Sequence, residues 1–188
     1  NSDLSKEKLI EEVLNINMEV KKILSASRFV TNAGFSMESE RITEDIVQFS
    51  YEYVVNNYIP VNSFIHQKRP INIVFESFEN IVYKTKFRPL EITVLFDNLF
   101  SNSKKANSRN IFIKWIKTKS ELILFFKDDG DGIPNEIKDK IFDFGFTKTN
   151  GSGIGLYQTK ETLKKLGASI RINDDFEKGV EFIITFPL

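Results

Sequence analysis

The stretch Asp128 to Leu156 reads DDGDGIPNEIKDKIFDFGFTKTNGSGIGL and carries two glycine clusters joined by a hydroxyl-rich loop. The first cluster, Asp128, Gly130 and Gly132, follows ELILFFK, an apolar run with the pattern of a buried strand. The second, Gly151, Gly153 and Gly155, precedes an amphipathic helical stretch. Glycine at a strand end lets the backbone approach a flat ligand, because no Cβ stands in the way. Glycine just before a helix leaves N–H groups directed at an anion, which the helix dipole also favours. A lone glycine cluster is most often a plain turn. Two in this order point to a site with one end suited to a base and the other to phosphates.

Upstream, Ile111 to Lys117 and Leu122 to Lys127 read as strands joined by a polar turn at Lys119-Ser120. Pro89 suits the first turn of a helix that runs to about Ala106. Ile71 to Glu76 (INIVFE) alternates and reads as another strand. Residues 78–86 are ambiguous, with Ile81, Val82 and Tyr83 as a candidate short strand. Thr43 to Asn57 reads as a helix capped by Thr43, with Glu44 and Asp45 in the first turn and Pro60 beyond its end. Downstream, Gly153 to Leu166 reads as a helix stopped by Gly167, followed by strands at Ser169 to Asn173 and Glu181 to Phe186. Helices intermix with strands that follow one another directly. The class is therefore α+β: a two-layer α/β sandwich, a mixed sheet covered by helices on one face.

A long N-terminal helix precedes this. Residues Leu4 to about Val30 lack Pro and Gly, and Leu9, Val13, Ile16, Val20 and Ile23 alternate at spacings of four and three. That is a heptad seam, with Asn32 and Gly34 as its stop. Two readings stand: an amphipathic helix packed on its own domain, or one half of a helical hairpin that dimerises. So short a helix is marginal alone, so partner helices are implied. The chain divides into a helical segment, 1–34, and a main domain, 35–188.

Lys and Arg number 26, as do Asp and Glu, so there is no electrostatic footprint for nucleic acid. Cysteine is absent, which excludes disulfides and thiolate metal sites. No apolar run is long enough to span a bilayer, and the fragment is expected to make no membrane contact and to be cytoplasmic, though its parent could be membrane-anchored. It opens on Asn1 rather than methionine and is expected to be part of a longer protein. Eighteen phenylalanines supply ample apolar area for a core.

Between Phe96 and Ala106 the chain reads FDNLFSNSKKA. With this segment in place, the chain resembles the GHKL ATP-binding superfamily: sensor histidine kinases, type II topoisomerase ATPase subunits, mismatch-repair ATPases and the large heat-shock chaperones. DNLFSNSKKA resembles the asparagine box, DDGDGIP the first glycine box, IFDFGFT the phenylalanine box and GSGIGL the second glycine box, all in family order. The resemblance covers roughly Phe35 to the C-terminus and implies the two-layer Bergerat fold. It also implies ATP or ADP as ligand, with Mg²⁺.

By this resemblance Asn102 is the magnesium ligand, and its side-chain carbonyl is a hard oxygen donor suited to that ion. Asn98, four residues earlier, shares its helix face. Lys105 matches the basic residue that reaches phosphate. Asp128 can accept a hydrogen bond from the adenine amine, whereas guanine offers a carbonyl there. Gly130, Gly132 and Ile133 complete the base end. Phe146, Thr147, Lys148, Gly151, Ser152, Gly153, Ile154, Gly155 and Leu156 form the lid and phosphate end; such lids order around phosphates. Core packing is expected for Phe142, and Asp129 and Asp131 read as solvated turn acids. The chain departs from the family pattern at Ala106, where kinases often carry an aromatic, and at Val180, where a threonine is expected.

Members that hydrolyse ATP place a glutamate base where this chain has Asn98, and an amide cannot take a proton at neutral pH. The resemblance therefore implies a histidine kinase catalytic domain, with Asn98 and Lys105 as its catalytic residues. The alternative is a GHKL ATPase acting as a nucleotide-driven conformational switch. The only histidine, His66, lies in a loop-like segment and lacks a following acid, so the phosphoacceptor is expected outside the chain. A homodimer through the N-terminal helix and a response regulator are the implied partners.

Overall fold

The computed structural model describes residues 41–59, 71–77, 80–147, 153–176 and 178–188. The helix read over 4–30 and its stop, Pro60 and His66 lie outside the described residues, as do Lys148, Thr149, Asn150, Gly151 and Ser152 of the loop. The described residues fall in one unit, Arg41–Leu188. In chain order its elements are β1 (Ile42–Asp45), α1 (Ile46–Tyr58), β2 (Asn72–Ser77), β3 (Lys84–Phe87) and α2 (Pro89–Lys105). There follow β4 (Asn110–Lys117), β5 (Glu121–Asp128), a short 3-10 helix (Asn135–Lys140), α3 (Gly155–Lys165), β6 (Ser169–Ile172) and β7 (Val180–Pro187).

Alternation decides which way the sheet faces. In β4 Ile111, Ile113 and Trp115 are buried, and in β5 Leu122, Leu124 and Phe126 are. These strands pair antiparallel, Ile113 opposite Phe126 and Trp115 opposite Leu124, so the two apolar rows share one face. β7 adds Phe182, Ile184 and Phe186 to that face through its antiparallel pairing with β5. The five-stranded order is β2-β4-β5-β7-β6, with β2 parallel to β4 and the remaining pairs antiparallel. The sheet is mixed, as expected.

One layer of helices covers this face. α2 contributes Ile92, Leu95, Phe96, Leu99 and Phe100, a stripe at helical spacing, and α1 contributes Ile46, Val47 and Val54. Phe100 meets Phe126 edge-on at 5.3 Å, which ties α2 to the middle of β5. α2 starts at Pro89, as read, with a reciprocal capping arrangement between Arg88 and Glu91.

The N-terminal part of the unit differs from the expectation. Thr43 does not cap a helix; Ile42–Asp45 is a strand paired antiparallel with Lys84–Phe87. Asp45 is the cap, accepting from the N–H groups of Val47 and Gln48, and it also takes the N–H of Tyr83. The strand within the ambiguous segment is likewise Lys84–Phe87 rather than Ile81 to Tyr83, because β1 supplies its partner there.

Candidate functional site

The end of β5 is where the first glycine cluster lies. Asp128 is only 2 % exposed. Its Oδ2 accepts from Ser103 Oγ at 2.8 Å and its Oδ1 from the N–H of Gly130 at 3.0 Å. A buried carboxylate is tolerated only when hydrogen-bonded in this way. Gly130 packs so closely that a Cβ there would lie 2.5 Å from both the Ala106 carbonyl oxygen and Ser108 Oγ. The loop after β5 is thereby pressed onto the C-terminus of α2.

Asp129 is not a free turn acid, and Asp131, though exposed as expected, is also hydrogen-bonded. Asp129 accepts from the N–H groups of Arg109 and Asn110 and from Asn110 Nδ2, at 2.8, 2.8 and 2.7 Å. Desolvation opposes its charge, but the hydrogen bonds from Asn110 and Arg109 outweigh it and hold the carboxyl below its usual range. Asp131 accepts from Asn107 Nδ2 at 2.7 Å and donates its own N–H to the Ala106 carbonyl. Together they fasten the first glycine loop to the residues just after α2.

Asn98 and Asn102 lie along α2, four residues apart, but are used differently. Asn98 Nδ2 donates to the Gly155 carbonyl at 3.0 Å and to Thr159 Oγ1 at 3.1 Å, so it tethers the first turn of α3. The Nδ2 of Asn102 is buried and finds no hydrogen-bond partner. Asp97, the neighbouring acid, faces α1: Tyr53 and Tyr58 both donate their hydroxyls to its Oδ1. Burial first, then the Asp97 charge, pushes the Tyr58 hydroxyl far above its ordinary range, so Tyr58 stays the donor in this bond. Lys105 is exposed in the last turn of α2.

At the opposite end, α3 begins at Gly155 with Ile154 as its N-cap, and no side chain caps it. Among the described residues, its first N–H groups have no side-chain cap. Gly153 lies against the carbonyls of Gly145 and Phe146, so the phenylalanine box and the start of α3 are drawn together. Phe146, Ile133 and Leu156 are partly buried and pack on the core, as does Phe142, which meets Phe182 edge-on at 6.4 Å. Thr147 is exposed. Gly132 and Ile133 line a cavity of about 420 Å³ together with Gly179 and Val180. Val180 is buried opposite Asp128 on the neighbouring strand.

Two buried residues of this region escaped the sequence reading. Ser103 continues the core-facing row Ile92, Leu95, Leu99 of α2, and Thr159 precedes the buried Leu163 by one turn of α3. A hydroxyl at a core position of an amphipathic helix is the signal that marks both.

The arrangement places a buried carboxylate at a strand end, Asn102 one residue before the serine that holds it, and the start of α3 tied to the same helix by Asn98. A family model described as histidine kinase-, DNA gyrase B- and HSP90-like ATPase matches residues 87–188, and the chain belongs to that family. Within it, the relatives are histidine kinases. Histidine protein kinase SaeS of Staphylococcus epidermidis is 30 % identical over 164 residues, 82 % of this chain and 45 % of that protein. Sensor histidine kinase GraS of Staphylococcus haemolyticus is 32 % identical over 101 residues, 50 % of this chain and 29 % of that protein. The chain thus spans less than half the length of these relatives. The catalytic domain of histidine kinase ThkA superposes with a TM-score of 0.65 at 25 % identity, covering 79 % of this chain and 97 % of that one. Full-length ShkA, solved in complex with AMPPNP, gives 0.65 at 16 % identity, covering 80 % and 32 %, a likeness of fold. No helix among the described residues is long and apolar enough to cross a membrane.

Proposed function

We propose that this chain holds the ATP-binding catalytic domain of a histidine kinase, which transfers the γ-phosphoryl group of Mg-ATP to a histidine outside the chain. The observation that carries the reading is the buried Asp128 carboxylate, held at a strand end beside the closely packed Gly130 loop. An acceptor held in that way suits the exocyclic amine of adenine. Lys105 and the start of α3 around Gly153, Ile154, Gly155 and Leu156 would face the phosphates.

Among the described residues no cluster of three or more His, Cys, Asp or Glu is placed to hold a metal. The ligand available is the side-chain oxygen of Asn102, in the last turns of α2 beside Ser103; its Nδ2, an N–H donor, cannot ligate a cation. One amide fits Mg²⁺, which keeps waters and binds chiefly through substrate phosphates. The ion would supply neutralisation of charge on the phosphates during transfer. Consumption of ATP puts the reaction in the cytoplasm, and a second copy and a response regulator are the partners this activity requires.

Calorimetry with ATP tests the base site. Asp128→Ala is expected to weaken ATP binding by about tenfold or more, the loss of one charged hydrogen bond. Binding equal to wild type would remove Asp128 from the site.

Asn98 separates this reading from an ATP-hydrolysing switch. Asn98→Glu puts a carboxylate, which cannot donate, against the Gly155 carbonyl and Thr159. It is expected to cost about 2–3 kcal/mol, lowering Tm by roughly 5–10 °C, while phosphate release rises above that of the wild type because a base now stands at the hydrolytic position. Brisk phosphate release from the wild-type chain, at about 1 s⁻¹ or faster, would favour the switch.

A further inference from the structure

The Asp128 carboxylate is held from two directions, and they are not equivalent. Gly130 N–H lies two residues along the same chain and moves with the loop it belongs to. Ser103 Oγ reaches Oδ2 from α2, a different element. Both partners in this second bond are nearly inaccessible, Ser103 at 1 % and Asp128 at 2 %. A carboxylate has about four lone-pair directions. With one donor fixed on each oxygen, rotation of the group is blocked and its remaining lone pairs keep fixed directions.

We propose that Ser103 is a positioning residue for base selection: by anchoring Oδ2 it turns the Asp128 acceptor toward an exocyclic amine and so sets the preference for an aminopurine over an oxopurine. The inference rests on the nucleotide-binding reading above and deepens it. An amine at C6 donates to the fixed lone pair; a carbonyl at C6 meets it oxygen to oxygen. Sites built around one fixed hydrogen bond discriminate strongly, because the wrong ligand leaves a buried group unpaired. Without the Ser103 hydroxyl, Oδ2 loses its donor inside the core, and only the Gly130 N–H, which moves with the loop, still restrains the carboxylate. The amine then loses a directed acceptor and the carbonyl escapes an enforced clash. Ser103 also follows Asn102 directly in sequence, so the same turn of α2 carries both the anchor of the base reader and the amide assigned to the metal.

The test is calorimetric titration of the 188-residue chain with Mg-ATP and, separately, Mg-ITP, for wild type, Ser103→Ala and Ser103→Thr, with Tm recorded for each. Wild type is expected to prefer ATP. In Ser103→Ala the ATP affinity is expected to fall about tenfold while that for ITP changes by less than about twofold. The preference therefore collapses by a similar factor. Ser103→Thr keeps a hydroxyl and is expected to keep the preference, even where its added methyl lowers Tm. An unchanged ATP/ITP ratio in Ser103→Ala, or an equal loss for both nucleotides, overturns the proposal and leaves Ser103 a packing residue. A wild-type chain that binds neither nucleotide overturns the nucleotide reading itself, and this inference with it.

Discussion

Gly179→Ala is expected to be among the most damaging single-methyl changes in the domain. Gly179 has φ +85°, a conformation that side chains rarely adopt, and a Cβ there would lie 1.9 Å from the Asp128 carbonyl oxygen. Strain at positive φ alone costs about 1–2 kcal/mol. The contact adds more, because its partner is backbone at the end of β5, where Asp128 pairs with Val180, and neither strand can move without opening that pairing. A total of about 3–5 kcal/mol is expected, a Tm loss of roughly 10 °C or more. Nucleotide binding should be lost with it, since Asp128 rides on the same strand end. Gly145 is the internal control. Its φ is +76°, but nothing lies within 4 Å of its would-be Cβ. Gly145→Ala should therefore show the strain alone. Thermal melts of both variants decide the matter; a Gly179→Ala protein melting within about 2 °C of Gly145→Ala would sink the steric argument.

The centre of the fold was legible because its signal is local. NIFIKWIK and ELILFFKD alternate with period two, and Pro89 and the Ile92–Leu95–Leu99 row mark a helix; each pattern is written inside its own element. The strand at Ile42–Asp45 was not legible for the converse reason. ITED is short, and its hydrogen bonds go to Lys84–Phe87, some forty residues on, so nothing nearby distinguishes it from a helix start. Asp45 reads as a first-turn acid in sequence, but it takes the N–H groups of Val47 and Gln48 and so caps the helix two residues beyond Thr43. KTKF was overlooked as a strand because Phe87 is its one fully buried side chain.

For the candidate site, the sequence placed the residues but not the partners they meet. Asp128 and the two asparagines stand where the glycine clusters and the helix register put them. Their partners come from other elements and have no fixed spacing. Asn98 is engaged by Gly155 and Thr159, 57 and 61 residues away. Asp129, read as a solvated acid, collects three donors from Arg109 and Asn110. An acid in a turn looks the same in sequence whether it faces water or pins a loop, and the difference lies in the neighbour that folding delivers.

That distinction makes Asn102→Ala the sharpest test of the proposed chemistry. Most substitutions at a buried polar residue injure fold and function together, because the side chain serves both. Asn102 is different: its Nδ2 is buried, yet the fold gives it no partner. The atom proposed to hold the ion is the side-chain oxygen, so the alanine variant removes that ligand without taking a hydrogen bond of Nδ2 from the fold. Asn102→Ala should leave Tm unchanged or slightly raised, because no hydrogen bond of Nδ2 is lost and an unpaired buried N–H is removed. Phosphoryl transfer depends on positioning and charge neutralisation, so loss of the metal's protein donor should reduce labelling of the acceptor histidine by about 100-fold or more. The assay needs the acceptor helix supplied alongside this chain, and the label should be acid-labile and alkali-stable, as expected of phosphohistidine. ATP binding in the absence of Mg²⁺ should be little changed, since Asp128 and its partners are untouched. A variant that melts several degrees lower would make Asn102 structural, and one that still labels histidine at the wild-type rate would take the metal away from it.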